Sequence, residues 1–144
     1  MTQFSYTLIT NETELEDAFN VRREVFVREQ EIPKEIEMDE YDSEALHVIV
    51  RTGDTVIGTA RARFPAENTA KIERMAVLND FRRRGVGSGI IDFLTGEFRK
   101  NGTSHLILHA QCVVADFYKS CGFEESGEPF MEAGIEHIQM EKRL

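Results

Sequence analysis

The sequence predicts a single α+β domain, residues 1–144: a mixed, mostly antiparallel sheet of six to seven strands flanked by about four helices. Three observations carry that expectation. Short apolar or alternating runs recur along the chain, and Gly53-Asp54 separates two of them as a hairpin signal. From 85 to 100, by contrast, Val86, Ile90, Phe93, Leu94 and Phe98 fall at helical spacing. The 144 residues, 41% of them hydrophobic, suffice for one core, since a domain of that size buries roughly 68–70% of its unfolded surface.

Residues 4–10 alternate loosely and open the sheet. Asn11 or Thr13 can cap a helix running towards Glu29, with Leu15, Phe19, Val25 and Phe26 near helical spacing. Pro33 interrupts, and Glu35–Asp42 reads as a second short helix or a loop. Leu46–Arg51 and Thr55–Phe64 form the hairpin, Pro65 to Asn68 the next turn, and Lys71–Val77 the next strand. The helix from Gly85 to Lys100 stops at Asn101-Gly102. Leu106–Leu108 is a short apolar strand, Val113–Lys119 a short helix, and Phe123–Gly127 and Glu136–Glu141 the closing strands. An antiparallel meander is thus followed by a β-α-β crossover.

Charge is unevenly placed. The formal net charge is -9, and residues 12–44 hold 13 acids against four bases, whereas residues 61–100 hold nine bases against five acids. The excess acid argues against a general nucleic-acid binder. No apolar run approaches the roughly 20 residues of a membrane span, and the start lacks a basic-then-apolar signal, so a soluble cytoplasmic domain without membrane partners is expected. Most of the acids in 12–44 read as solvated helix faces. Cys112 and Cys121 stand apart without CxxC spacing and read as reduced, buried thiols; with four scattered histidines, no metal is expected.

The chemistry-bearing segment is Arg82-Arg83-Arg84-Gly85-Val86-Gly87-Ser88, between a strand and an amphipathic helix. Glycines let backbone N–H groups converge, the helix N-terminus adds partial positive charge, and three arginines supply full charges to a diphosphate. The segment lacks GxxxxGK[ST], and Ile90 stands where a dinucleotide fingerprint needs its third glycine.

The pattern Arg82-x-x-Gly85-x-Gly87 resembles the acyl-CoA pyrophosphate loop of the GNAT acetyltransferase superfamily. IERMAVLNDF (72–81) resembles its fourth strand, Ala110-Gln111 and DFYKSCGF (116–123) the end of its fifth strand and its tyrosine-bearing helix, and FMEAGIEHIQM (130–140) the EAGIxHxxM tail of small bacterial members. The resemblance implies a sheet splayed between strands 4 and 5, with acetyl-CoA as co-substrate and a small-molecule amine as acceptor, attacking directly in a ternary complex. It implies that the backbone of Met75, Ala76 and Val77 pairs with pantetheine and polarises the thioester carbonyl. The backbone from Arg83 through Ser88 then holds the pyrophosphate, and Gln111 orients pantetheine or acceptor. Tyr118 is the implied general acid towards the departing thiolate, a phenol being close in acidity to a thiol.

For the base, Glu73 is one candidate, since simple alternation puts it on the face of Met75 and Val77 with Arg74 opposite; pairing with Lys71 or an arginine is its structural alternative. His109 is the second, because an imidazole changes charge near neutrality. Phe26, Gln30, Glu31 and Asp39 are expected to shape an acidic acceptor entrance that draws a cationic amine. Residues 21–42, with Glu37, Asp39 and Asp42, also resemble acyl-homoserine-lactone synthases, though those enzymes are longer and lack the Arg82–Gly87 loop. A non-catalytic acyl-CoA-binding domain is a third reading. Exposed closing strands, which often pair subunits in such folds, leave a homodimer open.

Overall fold

Three alternating segments in the middle of the chain settle into one continuous antiparallel meander, around which the other elements gather. The computed structural model describes residues 3–144. Its seven-stranded sheet has the order β1-β2-β3-β4-β5-β7-β6. The strands are β1 (Ser5–Leu8), β2 (Leu46–Thr52), β3 (Thr55–Ala66), β4 (Thr69–Val77), β5 (His105–Gln111), β6 (Glu124–Glu132) and β7 (Ile135–Arg143). The helices are α1 (Glu12–Arg22), the single turn α2 (Lys34–Glu37), α3 (Val86–Lys100) and α4 (Ala115–Ser120).

β4 and β5 are the parallel pair, joined through α3, and they pair only from Thr69↔His105 to Ile72↔Leu108. Beyond Ile72 and Leu108 the two strands part, β4 running on to Val77 and β5 to Gln111. This is the expected splay, and it opens a cleft in the sheet.

α3 covers one face. Its Val86, Ile90, Ile91, Leu94 and Phe98 are buried with Val48, Val50, Ile57, Ile72, Leu106 and Leu108. Each large apolar side chain so buried contributes about 1.5–3 kcal/mol, which outweighs the ~1 kcal/mol that a glycine such as Gly89 or Gly96 costs a helix interior. On the other face, Val21, Val25 and Phe26 pack on Ala76. Asn11 caps α1, its side chain accepting from the Glu14 N–H at 2.8 Å. The helix does reach Glu29, but Arg23–Glu29 is wound as a π-helix, a feature frequent at functional sites.

Several boundaries differ from expectation, each for a visible reason. β6 and β7 are longer, meeting at Ala133-Gly134, whose φ values of +52 and +76 suit a tight hairpin turn. β6 tolerates Pro129 because it is the sheet edge and its register with β7 breaks between Ser126 and Phe130. Glu35–Asp42 resolves into α2 and a 3-10 turn over Glu40–Ser43 capped by Asp39. The solvated-face reading fails for two of these acids: Glu37 and Asp42 are buried.

Candidate active site

β4 carries a bulge where it leaves β5. Thr59 pairs with Ala76 and Arg61 with Glu73, so Ala60 of β3 opposes both Arg74 and Met75, and Arg74 takes a φ of +54. The extra residue resets the alternation. Met75 and Val77 pack into the α3-side core, whereas Ala76 packs beneath α1 and Arg74 reaches the α2 turn. Glu73 meets Arg61 and Arg63 on that same α1 side, so it does not share the face of Met75 and Val77 that uninterrupted alternation assigned to it.

That side is a buried network of opposite charges. Arg22 binds Glu37 at 2.6 Å and Asp42 at 2.7 Å; Arg61 binds Asp39 at 2.6 Å, Asp42 at 2.9 Å and Glu73 at 3.1 Å. Arg74 meets Asp39 at 3.2 Å and donates to the Glu37 carbonyl at 3.1 Å. Glu73 is further held by Arg63 at 2.6 Å and Lys71 at 3.2 Å. Burial alone would raise its pKa, but Arg63, Arg61 and Lys71 overcome that and hold it at about 2. Such a carboxylate has little appetite for a proton near neutrality. Asp39 is therefore part of this network, and Phe26 is a core residue against Ala76 more than an entrance wall. Glu31 is exposed just past the π-helix, with a φ of +57.

At the mouth of the cleft, Gly85 takes the left-handed conformation at φ +81 and starts α3 with no side chain capping it. The first amides of the helix are thus left for an external acceptor, and Arg83 and Arg84 stand exposed beside them. Ser88 folds its hydroxyl back onto the Gly85 carbonyl at 3.2 Å. Arg82 differs from its two neighbours: its Nε donates to the Val77 carbonyl at 2.8 Å and its fork grips Glu29 at 2.9 Å and 3.0 Å. Two arginines of the triple, not three, are left to face an anion, and the third ties the loop to β4 and the π-helix. Gly87 also has a packing reason, since a Cβ there would lie 2.9 Å from Cζ of Phe117.

Tyr118 on α4 packs on the α3-side core, and its hydroxyl donates to Met75 Sδ at 3.7 Å, beside the split. Burial, with a smaller effect from Cys121, pushes its pKa to about 12 and keeps the proton on. His109 and Gln111 follow the last β4–β5 pair and alternate with the core residues Leu108 and Ala110, so they point to the α1 side. Gln111 donates to Gln30 Oε1 at 2.8 Å, linking β5 to the end of the π-helix. His109 Nδ1 lies 3.4 Å from Glu132 Oε1, and His137 Nε2 lies 3.6 Å from Glu132 Oε2. Glu132 and His137 were not singled out individually from sequence, although Phe130, Glu132 and His137 at period 2 around Ala133-Gly134 were a readable sign of one shared face.

An open groove of about 570 Å³ lies elsewhere, between α1 and the loops around Asp54 and Asn79–Phe81, and neither Tyr118 nor His109 lines it. Among the described residues, no group of three or more His, Cys, Asp or Glu side chains is arranged to hold a metal ion, and no helix is long and apolar enough to cross a membrane.

A sheet that opens at a bulged strand, with an uncapped glycine-led helix at the mouth, is the arrangement that the resemblance to GNAT acetyltransferases implies. The chain belongs to the GNAT acetyltransferase family: residues 10–144 match its "Acetyltransferase (GNAT) domain". It is 42% identical over 133 residues to the uncharacterised N-acetyltransferase YjcF of Bacillus subtilis (strain 168), covering 92% of this chain and 94% of that one. In fold it is similar to a putative N-acetyltransferase from Lactobacillus plantarum, with a TM-score of 0.92 at 22% identity and 98% of each chain covered. It is similar also to a GNAT family acetyltransferase from Elizabethkingia anophelis with acetyl-CoA bound, with a TM-score of 0.77 at 15% identity and 98% of each chain covered.

Proposed function

We propose that this N-acetyltransferase moves an acetyl group from acetyl-CoA to the amine of a small molecule by direct attack in a ternary complex, with Tyr118 as the acid. The observation that carries the reading is the Tyr118 hydroxyl turned onto Met75, where β4 leaves β5. The amides that open α3, with Arg83 and Arg84, hold the pyrophosphate. The backbone of Met75, Ala76 and Val77 lines the split for pantetheine, and an N–H there polarises the thioester carbonyl. The amine nitrogen forms the C–N bond, the C–S bond breaks, and the thiolate takes the proton from Tyr118. Glu73, held at about 2 by its cations, locks β3 to β4 and does not accept the amine proton. Gln111 and Gln30 close the α1 side of the split, with Glu31 at its exposed rim.

Tyr118→Phe keeps the ring and deletes the proton. The expected result is a fall in kcat of about 100-fold or more, as for loss of a general acid, with the calorimetric Kd for acetyl-CoA unchanged. Full activity in that variant removes Tyr118 from the role.

A further inference from the structure

The cleft between β4 and β5 has two sides, and they carry different chemistry. Tyr118 and Met75 stand on the α3 side. On the α1 side, the first residue of β5 beyond the pairing is His109, about a quarter exposed. Behind it stands Glu132 of β6, whose two carboxylate oxygens face two imidazoles: His109 at 3.4 Å and His137 at 3.6 Å. The frame around this trio is tight. His137 is buried; its Nδ1–H donates to the Ile135 carbonyl at 2.7 Å, so its Nε2 pairs with Glu132 in the imidazolium form. The Phe130 ring stacks on His137 at 6.0 Å and meets His109 edge-on at 4.9 Å.

We infer that His109 is the general base of the transfer, oriented by Glu132, which His137 holds in turn. The inference rests on the acetyl-transfer reading and supplies the proton acceptor that Glu73 does not. Glu132 faces His109 Nδ1, which turns Nε2 outwards as the free atom. An acceptor amine that enters from the α1 side gives its proton to Nε2 as the C–N bond forms, while the thiolate takes its proton from Tyr118 on the far side. Acid and base thus work on opposite sides of one thioester. The titratable groups around His109 are Glu132 from β6, which faces it, and His137 from β7 on the far side of Glu132, with Lys71 of β4 acting on Glu132 and Glu73 bound to Lys71. His109 and His137 hold the Glu132 carboxyl below its ordinary range, so it stays an anion beside the ring. His109 is a catalytic residue in this scheme, and Glu132 and His137 are positioning residues.

The test is thiol release from acetyl-CoA with spermidine, tyramine and lysine across pH 5.5–9, using wild type, His109→Gln and Glu132→Gln, with the acetyl-CoA Kd of each measured by calorimetry. Wild type is expected to show kcat/KM rising with pH through an imidazole limb. His109→Gln is expected to lose about 100-fold in kcat together with that limb, at unchanged Kd. Glu132→Gln is expected to keep the limb and move it to lower pH, because the imidazolium loses its carboxylate. A merely structural trio leaves the limb in place in both variants. A wild-type limb that survives in His109→Gln overturns the inference and spares the acetyl-transfer reading. Absence of thiol release from wild type with all three amines removes both.

Discussion

A Cβ built on Gly87 would stand 2.9 Å from Cζ and 3.4 Å from Cε1 of Phe117, whose ring meets Tyr118 at 5.0 Å. The glycine of the anion loop therefore also fixes how closely α4 approaches α3. Gly96, on the same helix, has nothing within 4 Å of its virtual Cβ. The pair makes an internal control. Gly96→Ala is expected to stabilise by about 0.4–1 kcal/mol through helix propensity and a less disordered unfolded chain. Gly87→Ala gains the same propensity but must displace an aromatic ring, at a cost of about 1–3 kcal/mol, so the net is destabilising. It is also expected to lower kcat, since Phe117 carries Tyr118 with it. Urea unfolding and thiol release on the two variants check this; equal stability in both would show that Phe117 yields freely.

α1 and α2 are fastened to the meander by charge as well as by apolar contact. Arg22 is 1% exposed, with Glu37 and Asp42 as its partners, and Arg74 of the β4 bulge reaches the same α2 turn. Arg22→Met leaves two buried carboxylates short of a cation, and the expected loss is about 3–5 kcal/mol of unfolding free energy, read from the urea midpoint. A loss under ~1 kcal/mol would mean that Arg61 and Arg74 take up the charge. This network also marks where the sequence stops being readable. α3 was legible because its apolar spacing is local, the meander because alternation and Gly53-Asp54 are local, and the loop because Gly85 and Gly87 follow the arginines directly. Tyr118 on α4 was named through the resemblance to the family's tyrosine-bearing helix, and His109 on β5 through the chemistry of an imidazole. The bulge was not legible, because a bulge is a mismatch between two strands, and only the β3 register exposes it; the face assigned to Glu73 failed with it. The burial of Glu37 and Asp42 was hidden for the same reason, since their partners Arg22 and Arg61 lie 15 to 20 residues away. Arg82 was read with its neighbours because nothing local announces Glu29, 53 residues earlier.

On the scale of the whole molecule, the polarity along the chain becomes a contact. The acids of 37–42 meet Arg61 and Arg74 of the basic middle third, and most of the acids that make up the net charge of -9 lie outside this network. Acid acts on these two populations in opposite senses. Protonating exposed carboxylates relieves self-repulsion, a term that salt screens and that is worth little for each exposed charge. Protonating the buried ones breaks the network. Glu73 is held at about 2, against an unfolded value near 4.3, and Asp39 and Asp42 are lowered by their arginines against the pull of burial. A carboxyl depressed in the folded state lends its stability fully above the unfolded pKa and loses it as pH falls towards the folded one, at about 1.4 kcal/mol per unit of displacement. All three carboxyls are displaced in the same direction, so the buried network outweighs the surface. His47 works in the same direction from a higher pH. Burial lowers its pKa, so the unfolded chain takes up a proton near 6.5 that the folded chain refuses. The urea midpoint is therefore expected to slip slightly between pH 7.5 and 5.5 and to fall steeply from about pH 4.5 towards pH 2. Raising the salt should do little to shift that lower limb, because the pairs responsible are shielded from solvent. A midpoint that holds steady between pH 5 and pH 3 would mean that these carboxylates titrate freely and that the arginines do not bind them in solution.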